Sequence, residues 1–133
     1  GVPNRLGVPG EDLTKVAYGL LDAANHQGRD VLVVGGGDSA VEAAVALGEQ
    51  PGNTVTLSYR KTQFARIKHK NEQRLEAAVQ QGHVRLLLQS RVQAVGADAV
   101  LLQVDGDGPP RQVRLPNDDA TITASAVPPG YFA

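Results

Sequence analysis

The sequence predicts an α/β protein: a parallel sheet flanked by helices, with an antiparallel β-meander on one face. Three observations predict it. Between Gly28 and Ser90, short apolar runs alternate with segments of helical period, the order that builds a parallel sheet with right-handed crossovers. From Arg91 to Leu115, three strand-like runs are separated by Gly, Asp and Pro turns. The length of 133 residues suits one domain with a real core rather than two.

Taken in order, the opening GVPNRLGVPG reads as an extended linker. In 12-DLTKVAYGLLDAANHQ-27, Val16, Ala17, Leu20, Leu21 and Ala24 recur at helical spacing, so a helix is expected, capped by Asp12 or Thr14 and stopped by Gly28. Val31 to Val34 form a continuous apolar run, the pattern of a strand covered on both faces. A helix over about 39–49 follows, then a Gly52-Asn53 turn and the strand 54-TVTLSY-59. The next helix runs from about Asn71 to Gln81 with Leu75, Ala78 and Val79 inward, ends at Gly82, and leads to the strand 84-VRLLLQS-90. After the meander, alternating residues in 119-DDATITAS-126 predict one more strand, and 127-VPPGYFA-133 is again linker.

Composition excludes several classes. Hydrophobic residues at 41% and charged residues at 20% are close to globular averages and disfavour a disordered or collagen-like chain. No apolar run has the length of a membrane span, and no signal-peptide order opens the chain. A net charge of −1 gives no general bias toward nucleic acid or anionic membrane. The absence of cysteine removes disulfides, thiolate metal sites and thiol chemistry. A cytoplasmic location is expected. Methionine is also absent and the chain starts at Gly1, so the expectation is a single domain, residues 1–133 with linkers 1–11 and 127–133, excised from something longer.

The stretch 31-VLVVGGGDSAVEAAVALGEQ-50 carries the chemistry. Gly35, Gly37 and Ala40 give G-x-G-x-x-A directly after a strand and before a helix, the context of a Rossmann-like dinucleotide site. Gly35 permits the tight turn, Gly37 admits a pyrophosphate, and Ala40 allows close helix–strand packing, while unpaired N–H groups at the helix start receive phosphate. The bland alternative is a turn, for which one glycine suffices, whereas Gly35, Gly36 and Gly37 together carry an entropic cost. Ser39 and Glu42 are spaced as a capping box, and Glu42 equally lies where a nicotinamide would approach; both roles stand open. Asp38 is favourable in a first helical turn whatever the ligand.

The end of the second strand discriminates dinucleotides. A ribose-binding acid is usual there, yet no carboxylate occurs between Asn53 and Glu72. Arg60 stands close to that place, and Arg suits a 2′-phosphate through its bidentate fork. Tyr59 is placed to lie against adenine. Of the 13 Lys and Arg, six (Arg60, Lys61, Arg66, Lys68, Lys70 and Arg74) fall in this segment. A solvated basic face is the ordinary reading of such a run, and nucleic acid is disfavoured by having only Tyr59 and Phe64 as aromatics. NADP is favoured over NAD, with Arg60 the main determinant and Lys61 and Arg66 secondary.

VLVVGGGDSAVEAAVAL followed by VTLSYRKTQFAR resembles the pyridine-nucleotide domain of thioredoxin-reductase-like flavoproteins, whose members carry G-G-G-[DN]-[ST]-A-x-E and then H-R-R-x-x-x-R. The opening G-x-P-x-x-L-G-V-P-G-E is similar to the segment leaving their FAD domain, and the likeness spans roughly residues 1–119. It implies Gly35, Gly36, Gly37, Asp38 and Ser39 on the pyrophosphate, Glu42 near the nicotinamide, and Arg60 and Lys61 on the 2′-phosphate. Tyr59 replaces the usual His, and the third arginine falls on Ala65 with Arg66 displaced by one. The missing C-x-x-C points to subgroups resembling bacillithiol-disulfide or ferredoxin-linked reductases. The end, TITASAVPPGYFA, lacks the glycine expected before its prolines.

The leading expectation is therefore the NADPH-binding part of an FAD-dependent oxidoreductase, inactive alone, with FAD in the missing domain of the parent chain and an unidentified electron acceptor. The alternative is a non-catalytic NADP(H) sensor. A methyltransferase is disfavoured by the missing acid after the second strand.

Overall fold

A computed structural model describes residues 6–19, 22–64 and 66–123. Among these, eight strands and two α-helices form: β1 (Val16–Tyr18), β2 (Asp30–Val34), α1 (Asp38–Gly48), β3 (Thr54–Ser58), α2 (His69–Gln80), β4 (Val84–Leu87), β5 (Ser90–Val95), β6 (Ala99–Val104), β7 (Arg111–Pro116) and β8 (Asp119–Ile122). Five strands build a sheet in the order β1-β8-β2-β3-β4, with every pairing parallel. The meander β5-β6-β7 forms a separate antiparallel sheet.

The alternation within β2 explains the layering. Val31 and Val33 enter a core shared with α1, α2 and β4, through Ala40, Val41, Ala44, Leu47, Leu75, Ala78 and Val84. Leu32, facing the other way, enters a core with Val92, Val95, Val100 and Leu102 of the meander. Successive strand residues point to opposite faces, so an all-apolar strand needs cover on both. The α/β, Rossmann-like architecture with a meander on one face is the one predicted.

Three local expectations need correction. The helix predicted over 12–27 does not form: Val16–Tyr18 is the edge strand β1, and Ala23–Asn25 is a single 3₁₀ turn capped by Asp22. Val16 pairs with Ala120, Ala17 with Thr121 and Tyr18 with Ile122, so a distant strand claims the backbone groups a helix would have used. Gly19 follows at φ +91°, outside the helical region. Leu20 and Leu21 lie outside the described residues. Val79 is 38% exposed rather than inward, because the buried stripe of α2 is Asn71, Leu75 and Ala78, and the next residue turns away from it. The strand predicted over 84–90 stops at Leu87; Gln89 adopts φ +52° and Ser90 opens β5.

Of the segment read as linker 1–11, residues 6–11 lie against the meander. The Pro9 carbonyl accepts from Val95 N–H at 2.8 Å, and Gly10, at φ +84°, is packed so closely on Val95 that a side chain would overlap its carbonyl. Glu11 is buried, accepting from Leu6 and Gly7 N–H and from the Tyr18 hydroxyl. The predicted linker 127–133 and the end of the strand predicted over 119–126 lie outside the described residues. Among the described residues, no helix is long and apolar enough to cross a membrane.

Candidate functional site

The order of strands creates a switch point. From β2 the chain moves through α1 to β3 and through α2 to β4 on one side, and only after the meander does β8 dock on the other side of β2. Ligands of open α/β sheets bind outside the carboxyl ends of strands at such a reversal. Here the glycine loop occupies that place, with the end of β8 beside it: Thr123, fully buried, donates its N–H and hydroxyl to the Val34 carbonyl at 3.2 and 3.4 Å.

Each glycine has its own reason. Gly35 takes φ +151°, which side chains disfavour, and its N–H bonds the Ser58 carbonyl at 2.9 Å. A side chain on Gly36 would overlap the ring of Tyr59. Gly37 is the extended N-cap of α1 (φ −98°, ψ −178°) and supplies no side-chain cap. The N–H groups of the first helical turn, Asp38, Ser39 and Ala40, have no helical acceptor and form the positive end of the helix dipole. Ala40 is fully buried in the helix-side core, where its size lets α1 approach the sheet.

The second predicted segment leaves the sheet alongside the first, because Val34 and Ser58 are register partners. Its backbone is held: Tyr59 N–H bonds Leu87 O, Ser90 N–H bonds Tyr59 O, and Gln89 N–H bonds Lys61 O, each at 3.0 Å. Buried Ser58 and Ser90 share a 2.6 Å hydroxyl contact beneath. The Tyr59 ring is buried, stacked on Phe64 with centroids 5.2 Å apart and planes within 6°. Arg60 is half-buried, while Lys61 and Arg66 are exposed. The structure thus brings Gly35–Ser39 and Tyr59–Lys61 to one edge of the sheet.

The capping box, one of the two roles left open for Ser39 and Glu42, does not form. With Gly37 as N-cap, Ser39 stands inside the helix, and Glu42 turns toward α2, where its Oε1 accepts from Asn71 Nδ2 at 3.2 Å. Asp38 also looks across: its Oδ1 accepts from Lys68 N–H at 2.8 Å and from Asn71 Nδ2 at 2.7 Å. The Asn71 amide first, and the Lys68 N–H second, hold the Asp38 carboxyl below its ordinary pKa, against a smaller opposing effect of desolvation. Asn71 was missed from the sequence. Its signal is a carboxamide within the otherwise apolar stripe of α2, 1% exposed.

A family model described as pyridine nucleotide-disulphide oxidoreductase matches residues 1–123. Bacilliredoxin reductase Bdr of Bacillus subtilis is 32% identical over 117 residues, 87% of this chain and 35% of that protein. A ferredoxin–NADP reductase of Ignicoccus hospitalis is 42% identical over 79 residues, 59% of this chain and 26% of that protein. Among solved structures, the bacillithiol disulfide reductase Bdr of Bacillus cereus superposes with a TM-score of 0.84 at 30% identity, covering 98% of this chain and 39% of that one. Thioredoxin reductase of Streptococcus pyogenes does so with a TM-score of 0.75 at 28% identity, covering 92% and 40%. The chain thus spans well under half the length of each of these relatives.

Proposed function

Because this chain belongs to the pyridine nucleotide-disulphide oxidoreductase family, we propose that it is the NADPH-binding domain of a longer FAD-dependent oxidoreductase. The observation that carries the reading is the pairing of two loops at the switch point: an uncapped helix start behind Gly35–Gly37, and an acid-free strand end bearing Arg60 and Lys61. In this reading the N–H groups from Gly36 to Ser39 take the pyrophosphate. Arg60 and Lys61 take the 2′-phosphate, and Arg66, exposed on the same segment, adds charge beyond them. Tyr59, its ring buried beneath Gly36 and stacked on Phe64, supports the loop from below rather than lying open to adenine. Glu42, one turn into α1, is held toward α2 by Asn71, so the nicotinamide role that its position allows is not assigned to it.

When bound, NADPH supplies a hydride for a flavin, here assigned to FAD held by a further part of the parent protein. The chain's own residues bind and orient the donor. The relatives are named for different acceptors, ferredoxin among them, and the solved bacillithiol disulfide and thioredoxin reductases share this fold. The acceptor site is accordingly assigned outside this domain. Calorimetric titration of the chain with NADPH and NADH tests the reading: NADPH binds the tighter. Equal or tighter binding of NADH overturns the 2′-phosphate assignment.

A further inference from the structure

We propose that Asn71, acting through Asp38, is a positioning residue that fixes the cation-bearing segment after β3 against the glycine loop, and so sets the preference for a 2′-phosphorylated dinucleotide. The inference rests on the NADPH reading above and names the device behind its selectivity.

Described residues between Tyr59 and Lys68 form neither helix nor strand, yet they carry Arg60, Lys61, Arg66 and Lys68. Such a segment costs entropy to order when a ligand arrives, unless it is ordered beforehand. Its first end is tied to the 87–90 corner through Tyr59 and Lys61. Its far end is the N-cap of α2, where the Lys68 carbonyl accepts from Asn71 and Glu72 N–H, and it reaches α1 through Lys68 N–H on Asp38 Oδ1. Asp38 is the first residue of the helix whose N–H groups face the phosphates. One carboxylate oxygen therefore joins the two phosphate-binding loops.

Asn71 holds that oxygen in place. Its buried amide group donates to Asp38 at 2.7 Å and to Glu42 at 3.2 Å, so it bridges two acids on α1 from a fixed point on α2. The bridge also answers an electrostatic difficulty. A carboxylate at a phosphate cradle repels the phosphate, and here Oδ1 accepts from two donors, Lys68 N–H and Asn71 Nδ2, whose partial positive charge offsets part of that repulsion. NADH lacks the group that meets the cationic segment, so loss of the clasp falls on NADPH.

The test measures the affinity of the unaltered chain, Asn71→Leu, Asp38→Ala and Asp38→Asn for NADPH and NADH by calorimetry, with thermal unfolding as a check on folding. Asn71→Leu weakens NADPH by roughly tenfold, the scale of one charge-assisted hydrogen bond, and NADH by less than about twofold; Asp38→Ala weakens NADPH by more than it weakens NADH. Asp38→Asn keeps an acceptor oxygen and restores most of the NADPH affinity. If Asn71→Leu does not fold, the two Asp38 variants decide. Parallel weakening of both dinucleotides, or unchanged NADPH affinity, overturns the clasp while leaving the NADPH reading intact. No preference for NADPH in the unaltered chain overturns both.

Discussion

The ring of Tyr59 occupies the space that a side chain on Gly36 would need. The ring cannot withdraw easily, being buried and stacked on Phe64. Gly36→Ala therefore forces either the loop or the stack to move, at about 1–3 kcal/mol. Chemical denaturation of Gly36→Ala, Tyr59→Leu and the double variant checks this: the double variant loses less than the sum of the singles, because the smaller side chain vacates the disputed volume. Strict additivity counts against the contact.

Arg60 is expected to carry the discrimination between dinucleotides. Arg60→Ala weakens NADPH by roughly ten- to a hundredfold, as the loss of a charged hydrogen-bond donor to phosphate would, with NADH nearly unchanged. Arg60→Lys recovers part of the affinity, keeping the charge but losing the fork. Titration of both variants with both nucleotides measures the split.

The Asp38 clasp gives a pH dependence of defined sign. Its carboxyl is held below the ordinary aspartate value by Asn71 and Lys68, so the folded state binds its proton less readily than the unfolded chain. The contribution is fully present above the unfolded value of about 3.9 and is lost as pH falls through the lowered value. Thermal melting of the unaltered chain and Asp38→Asn, followed from neutral pH into acid, shows a difference that holds down to that region and then shrinks. A difference that instead changes around neutral pH contradicts the assignment.

Leu102, 0% exposed, sits in the meander-side core with Leu32 and Val100. Leu102→Ala is expected to destabilise by about 2–5 kcal/mol through a cavity and lost burial. The two candidate nucleotide loops lie at the ends of β2 and β3 and not among these core side chains, so NADPH affinity measured well below the melting temperature stays within about twofold. Denaturation and calorimetry on the same sample separate the two effects.

Much of the candidate site was legible because its signals are local. The apolar run of β2, the three glycines and the small Ala40 lie within ten neighbouring positions, and strand–turn–helix context follows from their order. The cations after β3 were legible by type and by the missing acid. Asn71 was visible only as a polar break in a helical stripe, since its partners Asp38 and Glu42 lie on another helix. The S-x-x-E spacing at Ser39 fits a capping box in isolation; extended Gly37 starts the helix two residues earlier, and Asn71 claims Glu42.

The same division separates β1 from the rest. Residues 16–18 have a spacing compatible with a helix, and only β8, arriving after the meander, offers the parallel partner that makes them a strand. By itself the sequence determined the βαβαβ order, the meander and the strand–glycine-turn–helix context of the candidate site, because periodicity and turn residues act over a few positions. The tertiary structure alone decided the edge of the sheet, the partner of Glu42 and the clasp between the two loops. Those depend on hydrogen bonds between groups far apart in the chain, and such bonds leave no periodic trace in it.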